Sequence, residues 1–298
     1  MSAIIEIKHY SWRYLSQQNF ALEDISLEIE EGSFVGIIGP NGSGKTTLAL
    51  SIDGLIPGHY HGVKKGELYI LGKEVEQYET GLLQQTVGMV FSDPESQFTS
   101  MTVEDELVFG MENLGLSIPE IRERLEWVTD LVDLGPLLMK PPYEVSGGQK
   151  QRVALAAVLA MMPRIMILDE PTSMLDPISR KRVFDVLGKL RADQRNTIIV
   201  IEHSLENLVP LTDHMVMLHN GTLLREAETH AFFEDMNTLL EHDAFPPDVM
   251  TFTHKLTEAG LYKGPLPLTV EEASRQLHQW LPAVKTSTPS EAEGHQHD

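Results

Sequence analysis

The sequence predicts an α/β fold built on a parallel sheet covered by helices on both faces, and three stretches carry that expectation. FVGIIG (34–39), IMILDE (165–170) and TIIVIE (197–202) are short apolar runs rich in β-branched residues. That is the pattern of strands buried on both faces. Helix-length segments lie between them, and a parallel sheet needs such crossovers to connect its strands.

Along the chain, IIEIK (4–8) and ISLEI (25–29) read as two opening strands, followed by FVGIIG. That run ends in the glycine-rich GPNGSGKTT (39–47), and TTLALSIDGL (46–55) continues as a helix. After the apolar run VGMVF (87–91), residues 102–114 and 117–132 read as helices. The second opens with a capping-box spacing, Ser117 and Glu120, with Pro119 inside it. Another helix covers 148–161 and leads into IMILDE; Asp176-Pro177 then supplies a cap and a first-turn proline for the next.

The texture changes after about residue 240. FPPDVMTFTHKL and GPLPLTVEEASRQLHQWL read as two short helices joined by a proline-rich loop, with Thr269 and Glu272 as a capping box. Their apolar residues Leu256, Leu261, Leu277 and Trp280 need burial. The polar end TSTPSEAEGHQHD is expected to be disordered. The expected division is a main domain over 1–240 with a helical part at about 92–160, an extension over 241–285 and a tail over 286–298.

Composition narrows the function. Apolar residues make up 42% of the 298, enough for a sizeable core. The net charge of −21 opposes non-specific binding to a phosphate backbone, and RKR at 180–182 is a solvated helix face rather than a basic patch. Nucleic acid is therefore not an expected partner. With no cysteine, a disulfide framework and a thiolate metal site are excluded. The start MSAIIEIKHYSW lacks a signal-peptide pattern, and the longest apolar run, VALAAVLAMM (153–162), is too short to span a bilayer. A soluble protein is expected, one that docks onto a membrane component if it works at a membrane.

GPNGSGKT at 39–46 fits G-x-x-x-x-G-K-[ST]. Glycines let backbone N–H groups turn toward phosphate oxygens, and the helix that follows adds its positive N-terminal end. Lys45 would reach the β- and γ-phosphates and Thr46 would hold Mg²⁺. Asp169 closes the second buried strand, at the strand end where open α/β sheets hold ligands, and would complete the metal shell. Glu170 beside it could orient or deprotonate an attacking water. In VSGGQKQR (145–152) a serine and two glycines precede a helix, a second phosphate-facing helix start without a lysine in the loop.

That last motif resembles the signature of the ATP-binding-cassette (ABC) ATPases, and the resemblance extends over residues 1 to about 235. It implies a P-loop NTPase fold, with a RecA-like parallel-sheet core, an antiparallel β subdomain, a helical subdomain and a small helical C-terminal extension. It also implies ATP and Mg²⁺ as cofactors. Two cassettes would pack head to tail, each closing its Ser146, Gly147, Gly148 and Gln149 over the ATP held by the other. The nucleotide's phosphates would fall to Gly39, Pro40, Asn41, Gly42, Ser43, Gly44, Lys45, Thr46 and Thr47. Tyr14 resembles the aromatic that stacks on adenine, with Trp12 as its rival. Thr46 and Asp169 would be metal ligands, and Glu170, His203 and Lys45 the catalytic residues. In SMLD (173–176), Asp176 resembles the residue that communicates across the dimer.

Two features refine the resemblance. Where the family has a glutamine after the VGMVF strand, this chain has Ser92, too short to touch the metal except through water. DPESQF then resembles the short extra helix with pattern P-[DE]-x-Q, here Pro94, Glu95 and Gln97, of energy-coupling factor importers, which take up vitamins and transition-metal ions. In those proteins the segment lies where the cassette receives arginine-bearing helical ends of an integral membrane scaffold. Asp93, Glu95 and Gln97 would be the docking residues. From Glu74 to Ile121 there are ten acidic side chains and no Lys or Arg, which suits such a contact. The implied partners are a second cassette, identical or different, the scaffold and a substrate-binding membrane subunit, at the cytoplasmic face of the membrane. The C-terminal helices resemble the extension that holds two such ATPases together.

Two other readings compete. A non-transport cassette would bring a coiled-coil insertion, a second cassette or a basic surface, none of which the sequence has. A regulatory subunit with little turnover follows from Ser92 and is opposed by intact Lys45, Asp169, Glu170 and His203. The loop histidines His59 and His61 and the tail pair His295 and His297 lack the further ligands a metal site needs.

Overall fold

The computed structural model describes residues 3–79, 81–193 and 196–280. The chain divides into two compact units between Pro246 and Pro247, a few residues beyond the change in composition after 240. The tail 286–298, with His295 and His297, lies outside the described residues.

In the first unit the strands are β1 (Ala3–Tyr14), β2 (Leu22–Glu30), β3 (Phe34–Ile38), β4 (Gly62–Ile70), β5 (Lys73–Glu74), β6 (Val87–Val90), β7 (Ile165–Asp169), β8 (Thr197–Ile201), β9 (His214–His219) and β10 (Thr222–Glu228). Among the described residues they form an antiparallel sheet in the order β2-β1-β4-β5 and a second sheet in the order β10-β9-β3-β8-β7-β6. In the second sheet all neighbours are parallel except the β9–β10 hairpin. Every residue of β3, β7 and β8 is buried, as their unbroken apolar runs require. In β2 buried and exposed residues largely alternate, the mark of a strand with one wet face.

Strand register decides where the loops emerge. Ile37 pairs with Ile201, and Ile201 with Asp169. The carboxyl ends of β3, β8 and β7 therefore stop in one row, and the loops that leave them lie side by side.

The helical part holds the helices Val103–Asn113, Ile118–Leu131 and Gly147–Ala160. Thr102 caps the first by accepting the Asp105 N–H at 3.1 Å. Ser117 and Glu120 form the expected box, the Ser117 N–H donating to Glu120 Oε2 at 3.0 Å. Pro119 is tolerated because first-turn N–H groups have no helical partner to lose.

In the second unit the two expected helices are Asp248–Glu258 and Val270–Trp280. Thr269 Oγ1 accepts the Glu272 N–H at 3.1 Å, but Glu272 reaches the Leu268 N–H at 2.9 Å rather than that of Thr269. The expected apolar set is corrected at Leu261, which is 71% exposed. Its neighbour Tyr262 is buried instead, its hydroxyl donating to Pro265 O at 2.8 Å, so an aromatic with a satisfied polar tip takes the inner position. Leu256 and Leu277 are half-buried, and the Trp280 side chain lies outside the described residues.

One buried acid of the core gives a stability prediction. Asp53 closes the helix Lys45–Asp53 and is 7% exposed, and burial pushes its carboxyl up to about 7. Because the folded state holds this proton more tightly than the unfolded chain, stability falls as pH rises from the ordinary carboxylate range to about 7. Asp53→Asn is therefore expected to be more stable than the parent at pH 8, by on the order of 2–4 kcal/mol. The gap should close near pH 4. Urea melts at the two pH values check both halves.

Candidate active site

A cavity of about 620 Å³ opens at the carboxyl end of β3, between the 39–47 loop and the turn joining β1 to β2. Asn41, Gly42, Gly44, Lys45, Thr46 and Thr47 line one side, Tyr14 and Gln17–Ala21 the other, and Glu170 also reaches it. The loop's path depends on glycine. At Gly39 φ is +142°, and an added Cβ would lie 2.1 Å from the Leu218 carbonyl oxygen. Gly44 has φ +105° with the Ala21 carbonyl 2.6 Å from a Cβ position, so the chain closes onto the β1–β2 turn at a point that admits no side chain.

Lys45 is 4% exposed, and its ammonium folds back onto the loop, donating to Gly39 O at 2.9 Å and Pro40 O at 3.1 Å. Burial pulls its pKa down, while the charges of Glu170 and Asp169 oppose that shift. The side-chain nitrogen is held by two neutral carbonyls, which an anion would displace. Ser43 Oγ is buried without a hydrogen-bond partner in the same loop.

Asp169, at the end of β7, is 3% exposed. Burial pushes its carboxyl above the usual range, and the hydrogen bond from Thr46 is the largest opposing influence. Its Oδ1 is buried with no hydrogen-bond partner among the described residues. An orphaned carboxylate oxygen beside a threonine hydroxyl is a hard-oxygen donor set, and it fits Mg²⁺.

Glu170 follows with φ +50°, a left-handed conformation uncommon for a residue with a side chain and frequent at functional sites. Its N–H donates to Ile201 O at 2.9 Å, which fixes the turn against β8. Its Oε1 lies 3.0 Å from His203 Nε2. Carboxylate and imidazole, from the ends of adjacent strands, thus face each other beside the 39–47 loop.

The two candidate aromatics are placed differently. Tyr14 lines the cavity, whereas Trp12 is 1% exposed and packs edge-on against it, with ring centroids 6.0 Å apart. Tyr60 meets the Tyr14 ring in the same edge-on way, and Tyr14 Oη lies 3.2 Å from Thr47 Oγ1. His59 and Tyr60 thus lie in a loop that touches the aromatic platform.

Other expected residues sit elsewhere. Ser146 caps the helix Gly147–Ala160, its Oγ accepting the Gln149 N–H at 3.4 Å while Gln149 Oε1 accepts the Ser146 N–H at 2.8 Å. The Gln149 side chain is therefore engaged in the cap. None of Ser146, Gly147, Gly148 or Gln149 lines the Lys45 cavity, and Ser146 and Gly147 are exposed. Asp176 caps the helix Pro177–Asp193, accepting the Ile178 N–H at 3.0 Å and the Ser179 hydroxyl at 2.6 Å. Ser179 in turn lies against Gly148, whose Cβ position is 2.4 Å from its hydroxyl.

A second cavity, of about 550 Å³, is lined by Leu82, Met89, Gln97, Phe98, Phe109 and Met161, among others. Gln97 contributes a buried Nε2 without a hydrogen-bond partner. Two acids of the acidic stretch have partners within the fold. Asp93 Oδ1 accepts the Glu95 N–H at 3.0 Å, capping the turn Pro94–Gln97. Glu95 pairs with Lys150 at 2.5 Å, so the fold brings in a base from beyond the linear stretch.

Sequence reasoning also missed residues that the fold brings to the site. Gln17, Gln18, Asn19 and Phe20 line the cavity from a turn that carries no motif. Glu202, 3% exposed, follows β8 and accepts from Thr172 and His203. Its signal was present: an acid closes TIIVI as acids close IMIL.

Such a cradle after one strand, with an acid pair and a histidine delivered by its neighbours, is the arrangement of a P-loop nucleoside triphosphatase. Comparison with known proteins carries the assignment to a family. Residues 22–173 match the family profile described as ABC transporter, and this chain belongs to that family, as one of its ATPases. It is 36% identical over 278 residues to the energy-coupling factor transporter ATP-binding protein EcfA1 of Streptococcus agalactiae, covering 93% of this chain and 98% of that protein. The solved structure of cbiO1 from Clostridium perfringens, part of the ABC transporter complex cbiONQ, superposes with a TM-score of 0.71 at 27% identity. That match covers 86% of this chain and all of the other. A dimeric ATP-binding cassette in a post-hydrolysis state bound to ADP and Pi superposes at 0.65, with 28% identity over 76% of this chain and 98% of that one. Among the described residues, no helix is long and apolar enough to cross a membrane.

Proposed function

We infer that this chain is the ATP-hydrolysing subunit of an energy-coupling factor importer for a micronutrient, a vitamin or a transition-metal ion. It works at the cytoplasmic face of the membrane, docked on an integral scaffold that also carries a substrate-binding subunit. The observation that carries this reading is the relation to EcfA1 along nearly the whole of both chains. The P-E-x-Q turn beside an apolar groove adds local support.

In this reading the loop from Gly39 to Thr47 surrounds the phosphates with N–H groups, and Lys45 exchanges its two carbonyl partners for phosphate oxygens. Tyr14 offers a ring face to the adenine, with Trp12 and Tyr60 fixing its edges. Mg²⁺, held by Thr46 and Asp169, supplies neutralisation of phosphate charge when bound. Glu170 orients a water and accepts its proton at the carboxylate, while His203 holds that carboxylate in place through their contact. Ser146 and Gly147 are exposed, and Gly148 half-buried, at a helix start away from this chain's own cavity, which suits closure over ATP held by a second cassette. Each chain carries both halves, so two copies suffice, with Asp176 near the seam and the unit beyond Pro246 adding to the contact.

The groove beside Gln97 receives the scaffold's helical ends, with Phe109, 50% exposed, as an apolar anchor and Gln97 Nε2 as a donor for a helix-end carbonyl. Asp93 and Glu95 shape the turn, and Glu95 is available to an incoming arginine by exchange with Lys150. Phe109→Asp is expected to abolish co-purification of membrane subunits from detergent extracts while leaving ATP affinity unchanged; retained assembly would refute the docking assignment. Ser92, exposed after β6, is expected to slow turnover. A Ser92→Gln variant should raise kcat several-fold and reach half-maximal rate at lower Mg²⁺. Identical rates and Mg²⁺ dependence would remove any role for the serine.

A further inference from the structure

We propose that Glu202 is a positioning residue for hydrolysis: its buried carboxylate clamps the backbone of His203 to Thr172, and so sets the histidine against Glu170. The clamp can be followed atom by atom. Glu202 Oε1 accepts the Thr172 N–H at 3.1 Å and the Thr172 hydroxyl at 2.6 Å, while Oε2 accepts the His203 N–H at 3.2 Å. The Glu202 N–H donates to Ile37 O, at 3.3 Å, on the strand that leads into the phosphate-facing loop. One residue therefore joins the three segments that carry Lys45, Glu170 and His203.

Nothing in the fold alone asks for an acid here. The five residues before it, TIIVI, are all buried, and an apolar sixth would extend β8 without the penalty of burying a carboxylate. What the carboxylate provides is two acceptor oxygens and no donor, matched to three converging donors. Burial pushes the Glu202 carboxyl above the usual range, opposed by the hydrogen bonds from Thr172 and His203 and by the charge of Arg180 on the helix Pro177–Asp193. The far side of the clamp reaches the dimer-facing segment. The Ser173 N–H donates to Glu170 O at 3.2 Å and the Leu175 N–H to Thr172 O at 3.1 Å. Thr172 thus anchors the short path from Glu170 to Asp176. A shift of Asp176 at the seam would pull on Thr172, and through Glu202 on His203.

This inference rests on the reading of Glu170 and His203 as the hydrolytic pair, and the test separates the two. Glu202→Gln is nearly isosteric but turns an N–H₂ toward one of the N–H donors, so the clamp fails while the volume is kept. In the detergent-extracted complex its kcat should fall about 10-fold, the scale of a lost hydrogen bond to a charged group, with ATP Kd unchanged. Thr172→Val removes the hydroxyl donor and should show a smaller fall of the same kind. The double variant should be no slower than Glu202→Gln alone, because both changes open one contact. A wild-type kcat in Glu202→Gln, or losses that multiply in the double variant, would overturn the proposal. If Glu202→Gln does not fold, Thr172→Val decides alone, and a wild-type kcat there overturns it equally. Glu170→Gln and His203→Ala run in parallel: if they hydrolyse ATP normally, the underlying reading fails, and if they are inactive while Glu202→Gln is not, only the clamp does.

Discussion

Glu170→Gln is expected to lower steady-state ATP hydrolysis about 1,000-fold, the range over which a positioned general base acts, with ATP affinity unchanged or tighter. The substitution keeps the shape of a side chain that is only partly exposed and keeps an oxygen to face His203 Nε2, now 3.0 Å from Glu170 Oε1. It removes the negative charge and the lone pair that would take a proton from water. The strained backbone at Glu170 is unaffected, because its left-handed φ of +50° is held by the N–H bond to Ile201 O and not by the side chain. A single-turnover assay with labelled ATP separates this from a binding defect. Product formation in the first turnover at the parent rate would show that the carboxylate is not the base.

Lys45→Ala should be as damaging, through binding as well as chemistry. Lys45 is 4% exposed, and the two partners of its side-chain nitrogen are neutral carbonyls, Gly39 O and Pro40 O. Removing it leaves those carbonyls facing the place where phosphate oxygens must sit, which repels what the lysine attracted. A loss of 100-fold or more in kcat/KM follows from deleting one preorganised charge at a phosphoryl group, about 3 kcal/mol. Lys45→Arg should not rescue, because a planar guanidinium fork does not reproduce the compact ammonium held between the Gly39 and Pro40 carbonyls. Isothermal titration with a non-hydrolysable ATP analogue gives the binding part, and full affinity in Lys45→Ala would contradict it.

Much of this site could be read from the chain because its parts are local. The 39–47 loop, the acids closing β7 and the serine-headed helix each occupy a few consecutive residues, and strands buried on both faces announce themselves as unbroken apolar runs. What escaped depends on distance in sequence. Lys150 reaches Glu95 from another helix, and Gln17–Phe20 reach the cavity from a turn without pattern. β9 and β10 were less legible because HMVMLH holds a single β-branched residue, Val216, although Asn220-Gly221 marks their hairpin, with φ of 49° and 80°. Leu261 and Tyr262 show a different limit. Periodicity names adjacent apolar residues but cannot choose between them, and the choice fell to the one whose hydroxyl finds Pro265 O.

The most direct test of the account is the mass in solution of the Glu170→Gln chain, by sedimentation velocity, with and without Mg·ATP. Two copies should associate when ATP is added, bind two nucleotides, and separate again when Ser146→Glu puts a carboxylate at the exposed helix start that closes on the phosphates. A chain that binds ATP yet stays monomeric, or a dimer indifferent to Ser146→Glu, would contradict it.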